Sequence, residues 1–198
     1  MRMDDLALTA ASAAVLLLAV PVPAHATPAA APHRCEGGEA DSRGRSSVDG
    51  REIAWDDESK FDDARKHAIK VWTAGTLKQV TIEPDGATSY ADLEWRDANS
   101  VTGQWTDVYG KWAARHGTDH LMLNRAYLDD GKRYGTADHR RRVAAHELGH
   151  ALGFCHKAYG YGTHHSVMWA DYGLIEGKRI NGPTSHDITA YHALWGRA

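Results

Sequence analysis

Residues 146–156 read HELGHALGFCH, and no other run limits so tightly what this chain can fold into. On a helix, His146 and His150 stand one turn apart on one face, close enough to bind a single ion. Glu147 lies one residue round the helix, beside such an ion rather than on it. A carboxylate there can take a proton from a metal-bound water. Gly153 can adopt the left-handed conformation that ends a helix and turns the chain sharply. Beyond that turn, His156 can swing back as a third ligand. Three protein nitrogens with one open position are the pattern of a catalytic rather than a structural zinc site. The bland alternative is a helix with surface histidines, in a chain that has 13 of them. The glycine in register argues against it.

The surrounding pattern predicts a layered domain. A short strand is expected at 53–55, then a helix over 56–75 with acidic residues in its first turn, where the helix dipole favours them. Phe61, Ala64, Ala68 and Trp72 give that helix one buried stripe, and Gly75 stops it. Short β-like runs follow at 79–84, 91–96, 103–110 and 119–125, separated by Gly, Asn, Asp and Ser turns. A helix over 137–153, capped by Thr136 or Asp138, carries the histidines. A last helix over 186–195, capped by Thr184 or Ser185, presents Ile188, Tyr191 and Trp195 and ends at Gly196. Together these read as an α+β or α/β layered domain.

The ends read differently. Residues 6–20 are apolar and too short for a comfortable membrane span, and Ala24 and Ala26 make an A-x-A cleavage pattern. Residues 1–26 are therefore read as a signal peptide, against an uncleaved anchor or a buried helix. Residues 27–50 are rich in Pro, Ala, Gly, Ser and charge and read as an extended tail or short propeptide with little packing of its own. The main domain is expected over 51–198. A net charge of −3 leaves no general basic surface for nucleic acid. Seven Trp and eight Tyr against two Phe suggest a core lined by aromatics with polar handles.

The elongated motif, followed by Met168 in SVMWA (166–170), resembles the metzincin zinc endopeptidases, over roughly residues 50–198. HELGHALGFCH with DITAYHALWG (187–196) is most similar to small secreted bacterial matrixin-like enzymes, with snapalysin-like peptidases as a second comparison. Lys157 stands where matrixins usually have Ser, and Trp169 and Ala170 stand where they have Tyr-Pro. The resemblance implies an α+β, zincin-like fold: a mixed, mostly parallel twisted sheet with an antiparallel edge strand, packed on two long helices. It implies one catalytic Zn2+ on His146, His150 and His156, with Glu147 as general base and Met168 in a tight turn beneath the metal. It implies a secreted, monomeric endopeptidase acting on protein or peptide substrates, with no membrane partner after signal removal. An extended substrate would pair with an edge strand supplied by 104–110 or 119–125. Trp169, Tyr172 and Leu174 would wall an apolar pocket, and Tyr172 is a weak candidate for a further ligand or oxyanion partner.

Cys35 and Cys155 are the only cysteines. In an exported protein two cysteines usually pair, which would close a loop of about 120 residues. The alternatives are a latency switch, in which the Cys35 thiolate occupies the open zinc position, and two free thiols. Other marks carry less. Arg140, Arg141 and Arg142 form a solvated face or pair with nearby Asp residues. The acidic, glycine-bearing stretch 128–138 is the one candidate for a structural Ca2+ and by default a plain turn. His116, His120, His164 and His165 raise a second zinc without a defensible spacing. Two other functions compete with the peptidase. One is an exported zinc-binding domain without turnover, which would have no need of Glu147. The other is a zinc hydrolase with Glu176 as third ligand.

Overall fold

A computed structural model describes residues 35–87, 90–158, 165–170 and 180–197. The expected signal peptide, together with His164, Tyr172, Leu174 and Glu176, lies outside the described residues. Among the described residues, no helix is long and apolar enough to cross a membrane.

The protein is α+β, and its described residues form a mixed, mostly parallel five-stranded sheet and four helices. The strands are β1 (Glu52–Asp57), β2 (Thr81–Pro84), β3 (Leu93–Ala98), β4 (Gly110–Ala113) and β5 (Asp119–Asn124). The helices are α1 (Asp62–Trp72), α2 (Arg125–Leu128), α3 (Ala137–Ala151) and α4 (Ser185–Trp195). The sheet order is β2-β1-β3-β5-β4. The first four strands are mutually parallel. β4 runs antiparallel to β5, with Trp112 opposite Leu121 and Ala113 opposite His120.

The core follows from side-chain period. Leu93 and Trp95 on β3 and Leu121 and Leu123 on β5, two residues apart, are all fully buried. The stripe Phe61, Ala64, Ala68 and Trp72 is buried as expected. α1 packs against α3, and small residues make the approach close. The Trp72 indole N–H donates to the Ala145 carbonyl at 2.7 Å. A Cβ on Gly149 would lie 2.2 Å from Met168 Sδ and 3.1 Å from the Trp72 ring. The aromatic handles are used: Trp195 Nε1 donates to the Leu152 carbonyl, and Tyr191 Oη accepts from the Gln79 and Val80 amides. The Trp195 end of the chain thus docks on α3.

Three expectations are corrected. The helix expected from residue 56 begins at Asp62, because Asp56 and Asp57 extend β1, whose register with β3 runs to Asp57 opposite Trp95. The strand expected at 103–110 is a 3-10 turn at Gly103–Trp105 followed by a loop, and the edge strand starts where that run ends. The edge is therefore β4, while β5 (the second candidate) is interior with neighbours on both sides. Finally, residues 35–47 are tightly held. The Ser47 and Ser42 amides donate to the carbonyls of Ala151 and Gly153, the Glu36 amide donates to that of His156, and Cys35 is disulfide-bonded to Cys155. This stretch straps the end of α3 to the rest of the domain.

The arginine run pairs rather than pointing to solvent alone: Arg140 with Asp130, Arg141 with Asp63, and Arg142 with Asp138. In the 128–138 stretch, Asp129 is taken by Lys60 and Arg125, so a plain turn describes it.

Candidate metal centre

Thr136 caps α3 by accepting the His139 amide, and the helix carries His146 and His150. It ends in a Schellman motif: the Gly153 amide donates to the His150 carbonyl and the Phe154 amide to the Gly149 carbonyl. Gly153 has φ +92, and a Cβ there would lie 2.4 Å from the Ser42 carbonyl oxygen. Gly153→Ala is therefore expected to lose about 1–3 kcal/mol or more, read as a lower midpoint in urea unfolding.

This turn brings His156 back over α3. The three Nε2 atoms converge at 3.1 Å (His146 to His156), 3.1 Å (His150 to His156) and 3.2 Å (His146 to His150). The other ring nitrogens decide what this means. His146 Nδ1 faces the Val167 carbonyl at 2.8 Å and His150 Nδ1 faces the Phe154 carbonyl at 2.7 Å. A carbonyl only accepts, so each Nδ1 carries the proton and each neutral ring turns an Nε2 lone pair inward. Two lone pairs 3.2 Å apart cannot bond to each other; a cation between them satisfies both. Burial first, then mutual repulsion, pushes His146 well below the usual imidazole range and His150 down to about 4. Both are thus held neutral, the form that binds metal. Around a tetrahedral zinc with bonds of about 2.0–2.1 Å, ligand nitrogens stand about 3.3 Å apart, close to the spacing here. The donor set fits that ion.

Glu147 is buried, and its Oε2 accepts the Trp112 amide of β4 at 2.8 Å. Burial raises its carboxyl to about 8, against the Trp112 amide and Lys111, which favour the anion. A cation on the neighbouring histidines would likewise favour the carboxylate. Beneath the helix, Met168 is fully buried against Gly149. The turn that carries it is held by Asp187 of α4, which accepts from Ser166 Oγ, the Val167 amide and Thr184, itself the α4 cap in a capping box. The Val167 carbonyl in turn receives His146, so α4 orients this ring through a chain of hydrogen bonds. A cleft of about 340 Å³ beside the histidines is lined by Trp112, His150, His156, Phe154, Glu36 and Glu39.

The structure brings together His146, Glu147, His150 and His156. Trp169 is buried next to the Met168 turn. Of the histidines raised for a second zinc, His120 lies 3.5 Å from Glu94. Among the described residues, the only other metal-capable cluster is Cys35, Asp41 and Cys155, where both sulfurs are spent in the disulfide. A disulfide-bonded Cys35 has no thiolate to offer the histidines. Three contributors had escaped the sequence reading: the Trp112 amide, Asp187 and Asp41. Only Asp187 had a signal, three residues after the capping Thr184.

Set against known proteins, the chain matches no family model and no curated sequence, so what the site does is read from its own residues.

Proposed function

We propose that the protein is an exported zinc-dependent endopeptidase of metzincin type. The observation that carries this reading is the pair of inward lone pairs of His146 and His150, closed by His156, with a buried glutamate beside them. Zinc, when bound there, supplies a Lewis acid that polarises a peptide carbonyl and acidifies water. Glu147 accepts the water's proton and delivers it to the departing amine. The Trp112 amide fixes Oε2 and thereby the plane of the carboxylate. β4 lies at the edge of the sheet beside this carboxylate, so an extended peptide can add to it as a further strand. Met168 under the histidines, the turn at Gly153 and the antiparallel edge strand support the metzincin comparison. The disulfide supports export, since such bonds persist in oxidising compartments.

The test is metal content with casein cleavage on purified protein. One zinc per chain and cleavage that a chelator abolishes are the expected results. His156→Ala is expected to lose both zinc and activity, whereas a site completed by Glu176 would keep its zinc. Zinc without cleavage would favour the binding domain and sink the peptidase.

A further inference from the structure

His156 differs from its two partners. The rings of His146 and His150 are oriented by Nδ1 bonds to carbonyls, and both sit on a regular helix. His156 is exposed, lies beyond the helix, and among the described residues has no Nδ1 partner. Its ring direction depends on how the backbone of 155–157 is held.

One carboxylate holds that backbone from both sides. Asp41 Oδ1 accepts the Cys155 amide at 3.0 Å and the Lys157 ammonium at 2.5 Å. The Lys157 side chain is 1% exposed and that of Asp41 16%, so the pair is shielded from solvent. Between these two anchors, the His156 carbonyl accepts the Glu36 amide at 2.8 Å. Lys157 also donates its amide to the Met168 carbonyl, joining the same tripeptide to the turn beneath the site. Four links thus converge on residues 155–157, and the strap provides three of them if the disulfide is set aside and Asp41 counted twice.

We infer that Asp41 is a positioning residue for the third metal ligand, which makes the strap at 35–47 part of the metal centre rather than a dispensable leader. The inference rests on the metal-centre reading above. Asp41 touches neither the ion's nitrogens nor a substrate; it acts through the backbone that carries His156. Residues that orient a metal ligand without touching the ion typically control metal affinity by about 10–100-fold.

The experiment measures zinc affinity by competition with a chromophoric chelator, with thermal unfolding of the metal-free protein alongside. Asp41→Ala strands the buried Lys157 charge and endangers folding, so the decisive variant is Asp41→Ala with Lys157→Met, which removes both charges. Arg65→Met is the control for destabilisation elsewhere, since it breaks a buried pair with Asp57 on α1 and β1, remote in sequence from every histidine of the site. The expected result is a 10–100-fold weaker zinc affinity in the double variant and wild-type affinity in the Arg65 variant, at a temperature where both are folded. Wild-type affinity in the double variant, whatever its melting temperature, would overturn the positioning role. Failure of the wild type to take up zinc would overturn the metal centre itself, a separate result read in the same assay.

Discussion

Glu147→Gln is expected to lower kcat/KM on a peptide substrate by about 10²–10⁴-fold while one zinc is retained per chain. The amide keeps the size of the carboxyl and can still accept the Trp112 amide through its oxygen, so β4 stays in place. It cannot accept a proton, so the base is lost and little else. The fold should tolerate the change well. Burial already pushes the Glu147 carboxyl up to about 8, which means the site disfavours the charge that Gln removes. The melting temperature of the metal-free variant should therefore equal or exceed that of the wild type. Steady-state cleavage of a quenched peptide, with metal analysis and a thermal melt, reads all three quantities. Full activity in this variant would assign the proton transfer to another group.

Replacing both Cys35 and Cys155 by Ser is expected to cost about 2–5 kcal/mol. The bond spans 120 residues, most of the described chain, so its removal returns a large conformational freedom to the unfolded state. For a domain of this length each kcal/mol moves the melting temperature by about 2–4 °C, so a fall on the order of 10 °C is expected by calorimetry. The hydrogen bonds from Glu36, Ser42 and Ser47 survive the substitution, which keeps the loss below complete unfolding. An unchanged melting temperature would show that the bond adds nothing to the backbone pairing around it.

The candidate metal ligands were legible because their geometry is local. A helix fixes His146, Glu147 and His150, and a single glycine fixes the return of His156. α1 was legible from its stripe and α4 from its cap. β4 was not, because its four residues are all half-buried and show no alternation to read. Its most consequential group, the Trp112 amide, is backbone and carries no residue signature. Asp41 was hidden differently: it lies 116 residues from Lys157, in a stretch whose composition suggests disorder. Its partner is a lysine that sequence alone places on the surface. The pairing of Cys35 with Cys155 was within reach because there were no other cysteines to choose from.

The hydrogen-bond chain from Asp187 through the 166–168 turn to His146 has a consequence for synthesis. Asp187 follows all three histidines in the chain, within an 11-residue helix that buries Tyr191 and Trp195 against the core. On a ribosome, that helix emerges after all three histidines. Until it docks, the Val167 carbonyl that orients His146 is unanchored and the candidate metal site is incomplete. The order of emergence therefore delays assembly of the candidate metal site until α4 has followed the histidines out and docked.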